Sequence, residues 1–333
     1  MTSMSKRERV RGTLQSEPVD RPPISFWRHF LEKETSAAGL AEAMLGFQRA
    51  YEWDFMKVNP RACYHVEPWG CRFRFSGQAD IEPKLIESAV TTSDDWRRIK
   101  PLPPTTGAFG EQLDALRLIK EELHGEVPFI ETIFTPLSVA GRLVGSDDVM
   151  CEHLRQYPAR VHEALEAITV TLERFAKACL DVGVDGVFYA TTGWASYDRL
   201  TDAEYEEFGR PYDVRVLQAV AGAPFNVLHV CRSHNMLWKL MDYPAQAVNW
   251  ATTDPTNPTI TEIWQRTRRP VIGGVDHVGT LRQGSPEAVR TEVRNAIGQC
   301  RDGLIIGPGC SISPQTPEAN LRAARTSVEA LSH

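Results

Sequence analysis

This 333-residue chain contains no stretch close to the roughly 18 unbroken apolar residues that a membrane-spanning helix needs. It also lacks a strong bias of charge, because 37 Lys and Arg stand against 43 Asp and Glu and give a formal net charge of −6. The basic residues are scattered and form no stripe of the kind that binds nucleic-acid phosphates. We therefore expect no membrane and no nucleic acid among its partners.

The N-terminus and the cysteines lack the patterns of a secreted protein. Residues 1–11 are basic but have no apolar core of a secretory signal, which predicts a cytoplasmic protein. The 7 cysteines are odd in number and widely spaced, unlike a disulfide framework. A cytosolic compartment would keep them reduced, so a cysteine with a special role should be a metal ligand or a nucleophile. Cys179 and Cys300 lie on helical stretches and are predicted to pack in the core.

Short apolar runs bounded by turn signals predict eight β-strands, at residues 23–27, 54–59, 128–133, 186–190, 226–231, 247–252, 270–275 and 303–307. Helical periodicity lies between them, as over residues 159–182 and 286–300. Repeated strand-then-helix order predicts an α/β fold, a single (β/α)8 TIM-type barrel domain over residues 1–333. Residues 73–110, rich in proline, predict an insertion between the second and third strands. A doubly wound sheet is the alternative fold, but the chain has no Gly-x-Gly-x-x-Gly turn to support it.

Three possible metal ligands follow predicted strands. His229 and Cys231 end the fifth strand two residues apart, so their side chains point to the same side, and Cys310 follows the eighth strand. The carboxyl ends of barrel strands form the mouth where active sites are built. Zinc prefers imidazole nitrogen and thiolate sulfur, and a site with three protein ligands keeps a position open for chemistry. We predict a catalytic metal site here, with His234 as a competing ligand and buried, apolar cysteines as the alternative.

Polar residues at other strand ends are candidates for binding a substrate: Asn59, Glu131, Asp254 and Asp276. Each could instead cap a helix or brace a loop. Glu131 and Asp276 are also candidates for a fourth metal ligand or for a carboxylate that supports the ligands. Aromatic residues could line the pocket, although they more often belong to a core or a rim: Trp194, Tyr197 and Trp250.

Four segments resemble one known family: residues 19–23 (VDRPP), 51–70, which begins YEWDFMKVNP, 193–212 (GWASYDRLTDAEYEEFGRPY) and 307–321 (GPGCSISPQTPEANL). On the basis of these segments, the chain resembles the uroporphyrinogen decarboxylase superfamily over almost its whole length. Within it, the sequence is more similar to the zinc-dependent, corrinoid-linked methyltransferases than to the decarboxylases. Those methyltransferases carry a His-x-Cys pair and a late cysteine, which His229, Cys231 and Cys310 match.

The chain also departs from both branches of this superfamily. The decarboxylases hold substrate carboxylates with an Arg-Gln-Ala-Gly-Arg segment, where residues 27–31 here read WRHFL and keep one arginine. Arg61 stands where the decarboxylases place an essential aspartate. The methyltransferases usually have glycine after their His-x-Cys, whereas here Arg232 follows and alters the loop beside the ligands. We expect this last difference to affect which substrate binds.

The resemblance implies a zinc-dependent methyltransferase that transfers a methyl group between a corrinoid (cobalamin) and a thiol or another small molecule. Zinc would activate the thiol. No corrinoid-binding domain is visible in this sequence, so a separate protein would carry the corrinoid, and the resemblance leaves open whether the chain forms a homodimer. Two alternatives remain: decarboxylation of a tetrapyrrole without metal, and a non-catalytic barrel that binds a corrinoid or tetrapyrrole.

Overall fold

The computed structural model describes residues 3–300 and 302–329. Within them, seven strands form one parallel sheet in the order β1-β4-β5-β6-β7-β8-β9. Their bounds are Met56–Val58 (β1), Phe129–Phe134 (β4), Gly186–Ala190 (β5), Val227–His229 (β6), Ala247–Asn249 (β7), Val271–Val275 (β8) and Leu304–Pro308 (β9). The strands are buried almost throughout, as expected for a parallel sheet that helices cover. The predicted α/β class and seven of the eight predicted strands are confirmed.

The remaining predicted strand, at residues 23–27, is reduced to a single parallel bridge between Ile24 and Ile306 of β9. The Ser25 N–H donates to the Ile306 carbonyl at 3.0 Å. On the other side, the Asp54 N–H donates to the Ile24 carbonyl at 2.9 Å, just before β1 begins. This short segment therefore lies between the last strand of the sheet, β9, and the start of the first strand, β1, and bonds to both. The sheet is curled in a manner consistent with a TIM-like barrel.

Helices join the strands. Their bounds are Lys6–Leu14 (α1), Ala37–Tyr51 (α2), Gly107–Leu123 (α3), Pro136–Val144 (α4), Asp147–Gln156 (α5), Pro158–Val182 (α6), Asp202–Phe208 (α7), Arg210–Ala219 (α8), Ile260–Thr267 (α9), Thr280–Gln283 (α10), Pro286–Gln299 (α11) and Glu318–Glu329 (α12). Local chemistry sets their ends, as where the Ser285 hydroxyl accepts from the Ala288 N–H to begin α11. None of the helices in the described part of the chain is long and apolar enough to cross a membrane.

A second, smaller sheet lies between β1 and β4 in the chain. Its two strands, Arg72–Arg74 (β2) and Lys84–Glu87 (β3), pair antiparallel. They lie within or next to residues 73–110, where the sequence analysis places an insertion. Whether this region is an insertion into a barrel stays a prediction.

Buried apolar side chains form two clusters, one inside the curled sheet and one between the sheet and its helices. Alternation along the strands divides the residues between the clusters: Phe188 and Ala190 of β5 belong to the inner one, and Tyr189 to the outer one. His229 aligns with Ala190 on one side and with Asn249 on the other. Residues aligned in this way share a face, so His229 and Asn249 project into the interior of the curled sheet.

Candidate metal centre

His229, Cys231 and Cys310 lie together, as the sequence analysis predicts. His229 is the last residue of β6, Cys231 follows two positions later, and Cys310 stands two positions after the end of β9. One ring nitrogen of His229 and the two cysteine sulfurs all lie within 4.8 Å of one another. His229 is buried, and both cysteines are partly buried. The loops after β6 and β9, whose cysteines are 79 positions apart in the sequence, therefore meet in one cluster.

The geometry of the two sulfurs fits a shared metal ion. They lie 3.8 Å apart, far beyond the roughly 2.05 Å of a disulfide bond. Two thiolates on a tetrahedral zinc ion, with Zn–S bonds of about 2.3 Å, stand about 3.8 Å apart. One imidazole and two sulfurs are also a donor set that zinc prefers. The residues present therefore fit a zinc ion held by three protein ligands.

Asn249 of β7 determines which ring nitrogen of His229 is free. The Asn249 side-chain amide donates both of its hydrogens to backbone carbonyls, of Ile272 at 2.9 Å and of Pro308 at 3.0 Å. Its Oδ1 can therefore only accept, and it lies 2.6 Å from His229 Nδ1. Nδ1 must carry the proton, which leaves the lone pair of Nε2 available for a metal. The sequence analysis missed Asn249, although a polar residue at the end of the apolar run of β7 was a visible signal.

The two cysteines share a proton unequally. A hydrogen bond from the Cys231 thiol lowers the pKa of Cys310 well below its usual value, and His229 beside it acts in the same direction. The same bond raises the pKa of Cys231. A metal requires thiolate ligands, and of the two cysteines Cys310 is the one whose thiolate is favoured.

Lys57 of β1 is a buried cation in the interior of the sheet. Its ammonium lies 4.8 Å from the centre of the Phe188 ring, and this ring stacks on His229 with centroids 4.9 Å apart. Burial lowers the pKa of Lys57 to about 7, while Cys310 and nearby carboxylates oppose that shift. Lys57 also donates to Asn59 Oδ1. The sequence analysis missed Lys57, and the signal was a single charged residue within an apolar strand.

The predicted substrate-binding residues occupy different environments. Asn59 donates to the Ser311 hydroxyl at 3.1 Å, beside Cys310. Glu131 is fully buried, and its carboxylate accepts from Gln112 of α3 at 3.0 Å, so it faces the layer of helices. Burial raises its pKa well above the usual value.

Asp254 and Asp276 brace loops at the same end of the sheet. Asp254 accepts from the Ser233 hydroxyl at 2.6 Å, in the loop that follows Cys231. Asp276 accepts from the Val278 N–H at 2.9 Å, just before α10. The competing ligand His234 bonds through Nδ1 to Asp198 at 2.9 Å. Within the described residues, none of these three side chains joins the cluster of potential metal ligands.

A cavity of about 780 Å³ opens beside the cluster. Arg232 and Ser311, which directly follow Cys231 and Cys310, both line it. Trp194 also lines it, whereas Tyr197 is half exposed at the surface and Trp250 is buried with its indole donating to the Pro258 carbonyl. A small molecule in this cavity would therefore be next to the potential metal ligands.

The sequence profile described as Uroporphyrinogen decarboxylase (URO-D) matches residues 5–331, and the chain belongs to this family. Among curated relatives, the Methylcobamide:CoM methyltransferase MtbA of Methanosarcina acetivorans is 26% identical over 342 residues, which cover 97% of each chain. The Uroporphyrinogen decarboxylase of Carboxydothermus hydrogenoformans is 25% identical over 267 residues, 77% of this chain and 72% of that protein. The predicted family is therefore confirmed, and the methyltransferase matches more of this chain than the decarboxylase does.

A solved structure supports the same fold. The protein described as a methyltransferase from Methanosarcina mazei superimposes with a TM-score of 0.81, covering 98% of this chain and 99% of its own. The two sequences are 20% identical. This likeness shows that the fold is shared along nearly the full length of both chains.

Proposed function

We propose that this chain is a zinc-dependent methyltransferase that transfers a methyl group between a corrinoid on a separate protein and a thiol or another small molecule. The observation that carries the proposal is the cluster of His229, Cys231 and Cys310 beside a cavity at the carboxyl ends of the strands. This is the end at which enzymes of this architecture place their sites. The likeness to a methylcobamide-dependent methyltransferase over 97% of the chain supports the corrinoid as the other reactant.

The three ligands would hold zinc, which would lower the pKa of a substrate thiol so that its sulfur can accept a methyl group at neutral pH. Asn249 keeps His229 in the tautomer that exposes Nε2. The Lys57 ammonium, in contact with the Phe188 ring that stacks on His229, adds positive charge near a site that collects thiolates. Asn59 connects Lys57 to the loop of Cys310 through Ser311. These residues fix and balance the charge around the reacting sulfur.

We also propose that residues 1–333 form a single domain, an eight-stranded (β/α)8 barrel with an insertion between its second and third strands. The parallel bridge between Ile24 and β9 supports an eighth strand position in the barrel, at residues 23–27. The separate β2–β3 pair supports the insertion. Among the four predicted substrate-binding residues, the bond from Asn59 to Ser311 favours Asn59. Glu131, Asp254 and Asp276 would act by supporting the elements around the site.

The surroundings of Arg61 favour methyl transfer over decarboxylation of a tetrapyrrole. Arg61 stands where the resemblance places the essential aspartate of the decarboxylases. Its guanidinium pairs with Glu67 at 2.8 Å and with Glu111 at 2.7 Å. Those carboxylates are therefore already engaged in ion pairs, and the position itself offers a cation.

The proposal is tested by the loss of methyl groups from methylcobalamin, followed by absorbance, with zinc-loaded protein and 3-mercaptopropionate or 3-mercaptopropanol as the acceptor. We expect the unmodified protein to methylate at least one of these thiols and Cys310→Ala to lose this activity. Cys151→Ala is the matched control, because Cys151 lies on α5, outside the ligand cluster. Equal rates for the unmodified protein and Cys310→Ala, or no transfer by either, would overturn the proposal.

A further inference from the structure

One of the three histidines that line the 780 Å³ cavity is held by a carboxylate. The three are His29, His65 and His277. His29 lies between residues 23–27 and α2, and its Nδ1 is 3.0 Å from Glu34 Oε2. Among the described residues, the rings of the other two histidines have no hydrogen-bond partner, and Nδ1 of His65 is buried as well. His29 is therefore the histidine of the cavity whose ring orientation is fixed.

Glu34 is the buried acceptor that fixes the ring of His29. It is 1% exposed, and its carboxylate also accepts from the backbone N–H groups of Phe30 at 3.2 Å and Ala62 at 3.1 Å. Within the described part of the chain, it forms no ion pair with a lysine or an arginine. An ionised carboxylate can only accept, so Nδ1 of His29 carries the proton and Nε2 keeps a lone pair. A carboxylate that orients an imidazole in this way is a feature of histidines that accept protons during catalysis.

The free edge of the ring is on the cavity side. The His29 side chain is 28% exposed and lines the cavity, while its Nδ1 is turned towards the buried Glu34. Nε2 lies on the opposite edge of the ring, and none of the residues that the structure describes bonds to it. This nitrogen is therefore available to a molecule in the cavity.

A backbone contact places His29 beside the segment that follows Cys310. The Ile312 N–H donates to the Trp27 carbonyl at 2.9 Å. Ile312 stands two positions after Cys310. Trp27 stands two positions before His29. Ser311 and Ile312 line the cavity together with His29. A molecule in contact with the potential metal ligand Cys310 would therefore lie close to His29.

The other two histidines are poorer proton acceptors. Burial lowers the pKa of His65 to about 3, so its ring stays neutral at physiological pH. Burial also lowers the pKa of His277, although negative groups beside it oppose this shift. The neighbouring carboxylate of Asp276 accepts from the Val278 N–H and not from this ring. Of the three, His29 alone combines access to the cavity with a hydrogen-bonded carboxylate.

We propose that His29 is a catalytic residue that accepts, at Nε2, the proton of a thiol that enters the cavity, and that Glu34 positions it. This inference rests on the proposed function. The S–H bond breaks, its electron pair stays on the sulfur, and an N–H bond forms at Nε2. The sulfur then bonds to the methyl carbon of the corrinoid, whose cobalt–carbon bond breaks with its electron pair left on the cobalt. The proton passes from His29 to water after the product has left.

Charge balance is the physical reason for this arrangement. A thiolate adds a negative charge beside a cluster that already holds two sulfurs. The imidazolium of His29 offsets that charge, and the buried carboxylate of Glu34 stabilises the imidazolium in turn. Uptake of the thiol therefore leaves the net charge of the cavity unchanged. Without His29, the proton has to go to the solvent.

The experiment is calorimetric titration of zinc-loaded protein with the uncharged thiol 3-mercaptopropanol, at a pH of about 7.5, where the free thiol mostly keeps its proton. Titrations in two buffers that differ in ionisation enthalpy give the number of protons released per thiol bound. We expect the unmodified protein to release fewer than about 0.3 protons, because His29 retains them, and His29→Gln to release about one. Since the charge is then no longer balanced, His29→Gln should also bind the thiol about tenfold more weakly.

Glu34→Gln tests the positioning role. The substitution keeps an acceptor for Nδ1 of His29 and removes the charge that stabilises the imidazolium. It should release an intermediate number of protons, about 0.5 to 0.8 per thiol bound. A purely structural role of Glu34 would change the thiol affinity without changing the proton count. Thermal melting verifies that each variant is folded, and the count is taken on folded protein.

His162→Gln is the matched control. His162 of α6 also has a glutamate partner, with Nε2 3.2 Å from Glu207, but it does not line the cavity. Its proton count should equal that of the unmodified protein. The same count in His29→Gln as in the unmodified protein, or a rise to about one proton in His277→Gln instead, would overturn this inference and leave the proposed function standing. Zinc-loaded protein that binds neither 3-mercaptopropanol nor 3-mercaptopropionate would overturn both.

Discussion

The two ends of the curled sheet differ in the polar groups that they bury. At the amino end, the carboxylate of Asp54 accepts from Arg9 and Arg21, each at 2.7 Å, and from the Ile24 N–H at 2.8 Å. At the carboxyl end, buried polar atoms without partners among the described residues include His65 Nδ1, which faces the cavity region, and Thr191 Oγ1, whereas at the amino end Trp53 Nε1 beside Asp54 also has none. The buried ion pairs of Asp54 thus hold the amino end together, while the carboxyl end has a cavity with polar side chains that a ligand could use.

The position of α1 sharpens this contrast. Val10 of α1 packs in the inner cluster, and Arg9 of the same helix reaches Asp54. This helix therefore covers the amino end of the sheet. The carboxyl end has the 780 Å³ cavity instead. Loss of a partner should consequently affect stability at the first end and ligand binding at the second.

The largest effect is expected for Asp54→Asn. Asp54 is fully buried, and the substitution removes the negative charge that compensates Arg9 and Arg21. Breaking a buried ion pair in this way costs about 3–5 kcal/mol of unfolding free energy. Denaturant unfolding measures the loss, and the zinc affinity of the folded fraction should stay unchanged. A comparable loss of zinc affinity would contradict the division between the two ends.

A second buried carboxylate, Asp213, should make stability depend on pH. It accepts from the hydroxyls of Tyr205 at 2.7 Å, Tyr243 at 3.0 Å and Tyr189 at 3.2 Å, and burial raises its pKa from 3.8 to about 7. Between these two pKa values the folded state retains a proton that the unfolded state has lost. The contribution of Asp213 to stability should therefore fall as the pH rises from about 4 to about 7.

Asp213→Asn tests this dependence. It should cost about 1–3 kcal/mol at pH 5, because hydrogen bonds to a buried acceptor are lost. The difference from the unmodified protein should shrink by pH 8, and chemical denaturation at both pH values measures it. A difference that does not change with pH would show that the proton on Asp213 does not contribute.

Asn249→Ala should weaken metal binding and should also cost about 1–3 kcal/mol of unfolding free energy, because the carbonyls of Ile272 and Pro308 lose their donors. Without the Asn249 carbonyl, the proton on His229 Nδ1 loses its acceptor and both tautomers become available. Partners of this kind alter metal affinity about 10- to 100-fold. Chelator competition on the folded protein measures the zinc affinity. Asn320→Ala serves as the control, because Asn320 of α12 is also buried and donates to two backbone carbonyls, those of Leu281 and Gly284, outside the ligand cluster. Unchanged zinc affinity in Asn249→Ala would mean that the tautomer of His229 is irrelevant.

Sequence alone was sufficient to predict that the three candidate ligands lie together, because their geometry follows from local rules. Residues two apart on a strand share a face, and the carboxyl ends of parallel strands meet. His229, Cys231 and Cys310 needed nothing more. Seven strands could likewise be predicted, because buried parallel strands are short apolar runs between turn signals.

The features that sequence did not reveal depend on register. Asn249 supports His229 only because β6 and β7 align these two residues, and single-sequence patterns contain no register. The prediction that Glu131 ends a strand is wrong, because β4 continues to Phe134, and Glu131 aligns with Val58 on the face toward the helices. The left-handed backbone of Arg232, with φ of +74°, is imposed by contacts from two other loops, which no local pattern encodes.

The most direct test of the central claim is the zinc content of the protein purified without chelator or metal-affinity tag, alongside His229→Ala and Cys310→Ala. We predict about one zinc per chain in the unmodified protein, from the donor set of one imidazole and two sulfurs, and loss of this zinc in both variants. Full zinc occupancy in either variant, or no zinc in the unmodified protein after zinc is added back, would contradict the assignment of the metal centre.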